Sequence, residues 1–416
     1  MRQSELFTKT KREAPKDEEA INAQLLIRAG FIDKLMAGVY TFLPLGLRVF
    51  KKIENIIREE MNKVGGQEIL MPSLQPKNNW ETTGRWNTMD DLYKLKDISG
   101  REFALGGTHE EVIVPLLKKS IFSYKDLPKY VFQIQNKFRM EMRSKSGLLR
   151  GREFAMKDLY SFHTDENNRD EYYQKMAIAY KKIFNRVGIG DKTYFTLAGG
   201  GTFSKYSHEF QTLTSAGEDI IHICEKCHIA INNEIIDEQK VCPECGNKNL
   251  EKEKAVEVGN IFKLKNKFAE DFDLKFKNKN SNDELVVMGC YGIGLGRLMG
   301  IIVEIFHDEK GIIWPENVAP FKIHLLNLAV NNKQLTAFAD KIYNNLQKAN
   351  VEVLYDNRKE TTIGEKFNDA DLIGIPYRAV ISEKNGNKIE IKKRGFEKIK
   401  LISEYDFKLF YKRHRG

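Results

Sequence analysis

The clearest hydrophobic pattern in the chain lies between Leu45 and Val64. Apolar residues recur there at steps of three and four, which predicts an amphipathic helix with one buried face. These residues are Val49, Phe50, Ile53, Ile56, Ile57, Met61 and Val64. Gly65-Gly66 should end the helix, because glycine is favoured just after a helix C-terminus. A short strand, Glu68–Met71, should follow and stop before Pro72.

Between Tyr130 and Glu141 the pattern changes to alternation, which is typical of a strand with one polar face. A loop rich in Gly, Lys and Arg follows at Arg143–Gly151, and a second strand is expected at Arg152–Phe162. We therefore predict an antiparallel hairpin with a charged face. Its apolar side should hold Phe132, Ile134 and Phe138, and its polar side Gln133, Gln135, Lys137, Arg139 and Glu141.

The last hundred residues have a different pattern. Glu284–Met288 predicts a strand that leads into a glycine run, and a helix should cover Leu298–Phe306. Trp314–Pro320 has the character of a linker. Beyond it, strands and helices alternate, which indicates a separate α/β domain of roughly 100 residues. Strands are expected at Lys322–Leu328, Val351–Tyr355, Arg378–Ser382 and Lys388–Lys392, and helices around Leu335–Leu346 and Lys366–Leu372.

Composition and charge narrow the class of protein. In 416 residues, no apolar run reaches the roughly 18 residues that span a bilayer. Met1–Glu19 is charged and lacks the apolar stretch of a signal peptide. We therefore expect a soluble, cytoplasmic protein without a membrane partner. The net charge is +9, and Lys384–Gly416 holds 11 Lys/Arg against 4 Asp/Glu. This basic segment fits a polyanion such as nucleic acid, although by charge alone a solvated surface explains it equally well.

Four of the five cysteines form two Cys-x-x-Cys pairs with 14 residues between the inner members: Cys224, Cys227, Cys242 and Cys245. In a cytosolic chain, this pairing indicates a metal site and not disulfides. Four thiolates suit tetrahedral Zn²⁺ in a closed structural site. Four free thiols are the alternative. Cys290 stands apart from the others.

The predicted hairpin is the best candidate for a binding site. Arg139 and Glu141 should share a strand face, where a guanidinium can clamp a phosphate or a carboxylate. Phe154 on the return strand could stack on a flat base beside the arginine. Salt bridges on a surface strand would explain one Arg-x-Glu, but they are a poor explanation for the whole segment from Phe138 to His163.

Two further segments could contribute to the same site. Arg297 should lie just inside a helix N-terminus, which favours phosphate. Gly292, Gly294 and Gly296 would let a ligand approach the backbone, although glycines that serve only helix packing remain possible. The spacing does not match the dinucleotide fingerprint. Thr108 and Glu110 could hold a cationic amine, but Thr-x-x-Glu also describes an ordinary capping box.

Together these segments resemble the signature motifs of class II aminoacyl-tRNA synthetases, and more narrowly the bacterial-type prolyl-tRNA synthetases. The resemblance covers nearly the whole chain. The matching segments are Phe138-Arg139-Met140-Glu141, Leu149–Phe154, Met156–His163, Ser207-His208-Glu209-Phe210, Met288–Arg297, Asp356–Glu360 and Asp371–Pro376.

The resemblance implies a role for each matching residue. Arg139 would hold the α-phosphate of ATP and the substrate carboxylate, Glu141 would bind the adenine amino group, and Phe154 would stack on the ring. Arg150 and Arg297 would grip the β- and γ-phosphates, with Mg²⁺ sharing the charge. The proline-binding residues would be Thr108, Glu110, Arg139, Met156, Asp158 and His208. Arg139 and Arg297 would be the catalytic pair.

The implied fold is α+β. Residues 1–317 would form the catalytic domain, an antiparallel sheet flanked by helices, with an inserted zinc-knuckle module at 218–252. Residues 318–416 would form an α/β domain that binds the anticodon of tRNA(Pro). A homodimer is also implied, because the family packs its first motif across the subunit interface.

The sequence departs from the family pattern in three places. Only 81 residues separate His208 from Cys290, too few for the large editing domain of typical bacterial members, so we expect no editing of alanyl-tRNA by this chain. His109 stands where the family usually has serine, and Met140 replaces an acidic residue.

Two alternatives to a proline–tRNA ligase remain. One is a paralogue that activates an amino acid for an acceptor other than tRNA. The other is a non-enzymatic, zinc-containing RNA-binding protein.

Overall fold

The computed structural model describes residues 1–142, 144, 146–200 and 205–413. Its α-helices are α1 (Ile21–Arg28), α2 (Pro44–Lys63), α3 (Lys77–Thr82), α4 (Arg85–Thr88), α5 (Glu110–Leu117), α6 (Glu166–Val187), α7 (Lys267–Asp271), α8 (Leu295–Ile305), α9 (Lys333–Lys348), α10 (Ile363–Ile373) and α11 (Glu404–Arg413). Short 3₁₀ helices lie at Gln3–Glu5, Tyr124–Asp126, Gly147–Leu149, Gly190–Lys192, Asn233–Ile235 and Glu383–Asn385.

The strands, in chain order, are β1 (Ile32–Met36), β2 (Val39–Phe42), β3 (Gln67–Glu68), β4 (Leu74–Pro76), β5 (Lys94–Lys96), β6 (Glu102–Leu105), β7 (Lys129–Phe138), β8 (Glu153–His163), β9 (Thr193–Gly199), β10 (Tyr206–Leu213), β11 (Asp219–Cys224), β12 (Ile229–Asn232), β13 (Glu251–Lys265), β14 (Lys275–Lys277), β15 (Asp283–Leu285), β16 (Val287–Gly294), β17 (His307–Asp308), β18 (Gly311–Ile312), β19 (Ile323–Asn327), β20 (Val353–Asp356), β21 (Tyr377–Ile381), β22 (Ile389–Lys393) and β23 (Ile399–Ile402).

The predicted amphipathic helix is α2, and its apolar stripe is buried at Val49, Ile53, Ile57 and Met61. Gly65 follows it with φ = +87°, the left-handed conformation that favours glycine. The strand predicted at 68–71 was wrong in its extent, since β3 covers only Gln67–Glu68. Leu70 is 75% exposed, and no neighbouring strand covers it.

A nine-stranded sheet carries the predicted hairpin, with the order β10-β9-β12-β11-β13-β16-β8-β7-β3. Its pairs are antiparallel except β3–β7 and β9–β12. Helix α6 packs on one face, where Tyr173 and Tyr180 contact side chains from the sheet. The opposite face carries Asp158, Met156 and Phe154 of β8. The expected antiparallel sheet flanked by helices is therefore confirmed.

The hairpin ends earlier than its alternation predicts. Strand β7 stops at Phe138, and the chain turns directly afterwards, with the Glu141 amide donating to the Arg139 carbonyl at 2.7 Å. Arg139 and Glu141 therefore do not share a strand face, because both lie in this turn. Arg143 and Lys145 of the predicted loop lie outside the described residues.

The glycine run also differs from expectation. Gly289–Gly294 belongs to strand β16 and is not a loop, and α8 begins at Leu295, three residues earlier than predicted. Arg297 is thus the third residue of α8, inside its first turn as expected.

The predicted α/β domain contains a five-stranded sheet with the order β20-β19-β21-β22-β23. Strands β20, β19 and β21 are parallel, and β22 and β23 are antiparallel additions. Helix α9 buries Leu335, Ile342 and Leu346 against this sheet, in a core that includes Leu325 and Ile391. The strands and helices expected here are confirmed, while β23 and α11 were not predicted.

Contacts divide the chain into two compact units. One comprises Met36–Val39 and Ile53–Ile301, and the other comprises Met1–Leu35, Tyr40–Lys52 and the chain from Ile302 onwards. The boundary at 317/318 stays a prediction. Among the described residues, no helix combines the length and apolarity needed to cross a membrane.

The first residues of the chain belong to the same unit as the five-stranded sheet. The backbone of Arg2 forms a bridge with Tyr355 of β20, and its guanidinium bonds Asp340 at 3.0 Å. Gln3 bonds His324 at 2.8 Å, and Thr10 donates to Asp369 at 2.6 Å. The sequence pattern gave no indication of this docking.

Candidate functional site

Five residues proposed from distant parts of the sequence line one cleft on the central sheet: Arg139, Glu141, Arg150, Phe154 and Arg297. Met156 and Glu257 line the same cleft. The turn after β7, the return strand β8 and the first turn of α8 place these side chains. The cleft therefore combines three cations, one aromatic ring and two carboxylates.

The guanidinium of Arg139 is held by a neutral group. Its Nε and Nη2 donate to the Gly107 carbonyl at 3.3 and 3.2 Å, and Asp91 is 4.0 Å away. The guanidinium also lies 5.4 Å from the centre of the Phe154 ring. Burial lowers the pKa of Arg139, and the charge of nearby Arg297 acts in the same direction. The positive charge is therefore only weakly compensated and suits an anionic ligand.

Arg297 is fixed by backbone groups on both sides of the cleft. Its Nε donates to the Leu149 carbonyl at 3.0 Å, and its Nη1 donates to the Glu257 carbonyl at 2.8 Å. The Glu257 carboxylate is 3.6 Å from the same nitrogen. Arg297 is thus oriented in advance, beside the N-terminus of α8.

Arg150 is held by two carboxylates. Its Nε pairs with Glu141 at 2.9 Å, and its Nη1 pairs with Glu218 at 2.5 Å. The side chains of Arg150 and Glu218 are 37% and 53% exposed. Ion pairs this exposed are weak, at about 0–1 kcal/mol, so Arg150 can leave them for a stronger anion.

Thr108 and Glu110 lie at the start of α5, next to the Gly107 carbonyl that holds Arg139. The Thr108 hydroxyl donates to Glu110, and Arg85 contacts Glu110 at 3.3 Å and Glu111 at 3.0 Å. Burial opposes ionisation of Glu110, but the charge of Arg85 prevails and its pKa is lowered. For Glu111, burial prevails and raises the pKa to about 7. The carboxylate beside Thr108 is therefore the ionised one.

A second polar group is buried beneath the same face of the sheet. Lys137 pairs with Asp158 at 2.8 Å, and Gln133 donates to the other Asp158 oxygen at 3.0 Å. His109 lies against Lys137, with 2.5 Å between Nδ1 and Nζ, and its Nε2 is 3.2 Å from the Pro72 carbonyl. All four side chains are almost fully buried. The polar face of the predicted hairpin thus faces this site, not solvent.

His208 lies on the other face of the sheet, so its expected place in the proline pocket is wrong. Directly paired residues of neighbouring strands point to the same side. His208 pairs with Ile261, Ile261 with Tyr291, and Tyr291 with Leu159, whereas Asp158 pairs with Gly292. His208 Nδ1 is accordingly 2.9 Å from the Tyr173 hydroxyl of α6. Strand alternation alone could not reveal this, because it depends on the register.

Sequence reasoning missed several polar members of the site, among them Arg85, Lys137 as a buried cation, Gln133 and Glu257. Lysine and arginine are rarely buried, so their presence in a sequence does not predict an interior position. The available indication for Lys137 was its place on the same strand face as Gln133 and Gln135.

The four paired cysteines converge at one end of the central sheet. Their sulfur atoms all lie within 4.8 Å of one another, and those of Cys224 and Cys245 are 3.8 Å apart. Tetrahedral Zn²⁺ with bonds of ~2.3 Å would place its sulfurs at ~3.8 Å, so this donor set fits zinc. The segment 218–252 is not set apart from the sheet, because β11 and β12 pair with β13 and β9.

Comparisons with known proteins agree with this architecture. Residues 93–306 match the tRNA synthetase class II core domain (G, H, P, S and T), and residues 318–407 match an anticodon binding domain. The proline–tRNA ligase of Ehrlichia ruminantium is 38% identical over 427 residues, covering 98% of both chains. The chain belongs to the proline–tRNA ligase family.

Two other proteins of this class show how this chain differs from its relatives in length and in sequence. The proline–tRNA ligase of Persephonella marina is 35% identical, but that alignment runs over 547 positions while this chain has 416 residues. It covers 95% of this chain and 96% of the relative. The crystal structure of Cryptosporidium parvum prolyl-tRNA synthetase complexed with L-proline and AMP has the same fold, with a TM-score of 0.76, 17% identity, and coverage of 94% of this chain and 75% of that one.

Proposed function

We propose that this enzyme is a proline–tRNA ligase that activates proline with ATP and transfers it to tRNA(Pro). One observation carries the proposal: Arg139, Arg150, Arg297 and Phe154 line a single cleft whose neighbour is a buried, ionised carboxylate, Glu110. A cleft with three cations and a ring suits a nucleoside triphosphate. An adjoining carboxylate suits the cationic imino group of an amino acid.

In the activation step, the proline carboxylate attacks the α-phosphate of ATP in line, and pyrophosphate leaves. Arg139 would bind both the attacking carboxylate and the α-phosphate, because its guanidinium bonds the neutral Gly107 carbonyl and its distance to Asp91 is 4.0 Å. Arg297 would bind the outer phosphates. Positioning and charge neutralisation supply most of such a catalysis, so no side-chain nucleophile is needed.

The adenine would lie between Phe154 and the turn that holds Glu141. Glu141 would accept a hydrogen bond from the adenine amino group, and Arg150 would then leave Glu141 and Glu218 for the phosphates. The pair with Glu218 is exposed and costs little to break, and Glu141, which is 23% exposed, would gain the adenine amino group in place of Arg150.

Proline would bind with its imino group against Thr108 and Glu110. Met156 and Asp158 would form the wall, and Cys290, whose sulfur is 3.7 Å from Glu110, would adjoin it. Alanine is smaller and would also fit, because a missing methylene costs only about 1–3 kcal/mol of discrimination.

Glu257 is the residue in this cleft best suited to hold Mg²⁺. Its carboxylate accepts from Asn260 at 2.8 Å and lies beside Arg297, and magnesium prefers oxygen ligands. When bound, the ion would help to neutralise the charge of the triphosphate. The arginines would hold the phosphates in the same orientation.

In the transfer step, the terminal hydroxyl of tRNA(Pro) attacks the prolyl carbonyl, and AMP leaves. The unit that contains the five-stranded sheet would bind the anticodon. Its chain from Lys384 onwards is basic, which suits the phosphate backbone of RNA. The cytoplasmic location stays a prediction from the sequence.

A homodimer is the assembly that we expect for the enzyme. Leu70 and Leu74, four positions apart after α2 and β3, are 75% and 52% exposed. Exposed apolar side chains that cluster on a surface are typical of an interface. Light scattering on the purified protein should give twice the 48.1 kDa mass of the chain.

Two assays test the proposal. Proline-dependent exchange between ATP and pyrophosphate should occur, and alanine should support it only weakly. Purified tRNA should then accept proline. Exchange without charging would indicate a paralogue with another acceptor, and RNA binding without exchange would indicate a non-enzymatic protein.

Editing of mischarged tRNA should be absent from this chain. The 81 residues between His208 and Cys290 form β11, β12, β13 and the cysteine cluster, which leaves no room for a hydrolytic domain. Incubation with Ala-tRNA(Pro) should release alanine no faster than buffer alone. Rapid deacylation by the purified enzyme would contradict the prediction.

A further inference from the structure

Lys137 is a buried cation that the proposed reaction does not use. Its side chain is 1% exposed and lies between a carboxylate and an imidazole, at 2.8 Å from Asp158 and 2.5 Å from His109. Burial lowers the pKa of Lys137, while Asp158 and Glu110 both act to raise it. Lys137 is therefore close enough to feel the charges of both carboxylates.

The other contacts of this group fix its geometry. The second Asp158 oxygen accepts from Gln133, whose own carbonyl oxygen accepts from the Met71 amide at 3.1 Å. Burial lowers the pKa of His109 to about 4, so the ring is neutral. Its Nδ1 then accepts from the Lys137 ammonium, and its protonated Nε2 donates to the Pro72 carbonyl.

Three carboxylates and two cations make up the buried set: Glu110, Glu111 and Asp158 against Arg85 and Lys137. Arg85 lies beside Glu110 and Glu111, and Lys137 lies beside Asp158. Without Lys137, Asp158 would lose its cationic partner, and its repulsion of Glu110 would no longer be offset.

We propose that Lys137 is a positioning residue for proline: its ammonium holds the Asp158 carboxylate beside Glu110, so that together they attract the cationic imino group, and His109 orients Lys137. This inference rests on the proposed proline-dependent activation. It gives His109, which stands where the family usually has serine, a specific task in this chain.

The decisive variant is Lys137→Met, which keeps the length of the side chain and removes its charge. In the exchange assay at pH 7, the KM for proline should rise about tenfold or more, while the KM for ATP stays within about twofold. Unchanged proline KM, or equal rises for proline and ATP, would overturn the proposal.

Lys157→Met is the matched control. Lys157 is also fully buried and is the strand neighbour of Asp158, but it points to the opposite face, where it contacts the Tyr180 hydroxyl and the Tyr291 carbonyl. Among the described residues, its ammonium forms no ion pair with a carboxylate. The control should leave the proline KM close to that of the wild type, and a rise like that of Lys137→Met would refute the assignment.

His109→Ala keeps the inference testable should Lys137→Met fail to fold. The proline KM should rise about threefold with the ATP KM unchanged, because Lys137 loses one acceptor. In the double variant with Lys137→Met, the change at His109 should add nothing, since it acts through Lys137. Additive effects would overturn that role. Absence of exchange in the wild type would instead contradict the proposed function itself.

Discussion

Arg139 shows how the environment of one side chain prepares it for an anion. Its guanidinium bonds a backbone carbonyl, its nearest carboxylate is 4.0 Å away, and Arg297 faces it from α8. A bound phosphate stabilises a cation in these surroundings more than it stabilises a cation that already has a close acidic partner. The geometry of this residue thus makes a direct prediction for catalysis.

Arg139→Ala should reduce proline-dependent exchange about a hundredfold or more, because it removes a charge that binds both reacting groups. The melting temperature should change little, since the side chain is 35% exposed and bonds only one carbonyl. Exchange kinetics and thermal melting monitored by circular dichroism provide the two measurements.

Arg101→Ala is the control, because Arg101 is 74% exposed and pairs only with Asp97. It should retain full exchange. Near-normal exchange by Arg139→Ala, with Arg101→Ala also active, would remove Arg139 from the mechanism.

Residue types and motifs were enough to predict that these side chains lie in one cleft. Arg139, Phe154 and Arg297 converge, although 158 positions separate the first from the last. The supporting polar groups could not be predicted in this way, because burial of Lys137 is decided by strand pairing. His208 was misplaced for the same reason, since one step in register moves a side chain to the other face.

At the scale of elements, the cysteine cluster joins the ends of three strands. Cys224 ends β11, Cys227 precedes β12, and Cys242 and Cys245 precede β13. Glu218, which binds Arg150, directly precedes β11. Zinc at the cluster would therefore hold β11 at the end opposite to Glu218.

Cys242→Ser should lose zinc and lower the melting temperature by about 5 °C or more, because a structural zinc contributes directly to folding free energy. Exchange at 25 °C should persist, since the cluster does not touch the cleft. Metal analysis by mass spectrometry and thermal melting measure these effects.

Lys226→Ala, an exposed change in the same turn, should keep both zinc and stability. A wild-type protein purified without metal, and no more stable with added zinc, would contradict a structural zinc site.

The hydrophobic periodicity predicted the positions of α2, α9 and the hairpin well, because their apolar stripes are long. It did not predict where the strands end. A turn stabilised by the backbone ends β7 at Phe138, and sheet pairing extends β16 through glycines that have little preference for strands. Both outcomes depend on neighbours that are distant in sequence.

At the scale of the whole molecule, buried neutral histidines make the free energy of unfolding depend on pH. Burial lowers the pKa values of His109, His163 and His324 to about 4, against 6.5 in the unfolded chain. Below pH 6.5 the unfolded chain binds protons that the folded chain does not. Stability should therefore fall as pH decreases from 6.5 towards 4, and the melting temperature should drop by about 5 °C or more.

His324→Gln is the variant that checks this assignment, because His324 lies in the five-stranded sheet and contacts Gln3. Its melting temperature should depend less steeply on pH between 6.5 and 4 than that of the wild type. An equally steep profile would exclude His324 as a source of the effect.

The fold class was predictable, since it follows from joint motifs, and long periodic segments predicted α2, the hairpin and most of the five-stranded sheet. The elements between the hairpin and β16, among them α6 and β13, were not predicted. The docking of the first residues was not predicted either. It rests on single contacts such as Arg2 with Asp340 and Thr10 with Asp369, which connect positions more than 330 residues apart. No local sequence pattern predicts such pairings.

This docking has a consequence for biosynthesis. A ribosome produces Met1–Leu35 well before the chain from Ile302 onwards, yet both belong to one compact unit. The intervening Ile53–Ile301 emerges before that unit has its sheet. Met1–Leu35 must therefore remain without its partner strands until the other unit has been synthesised.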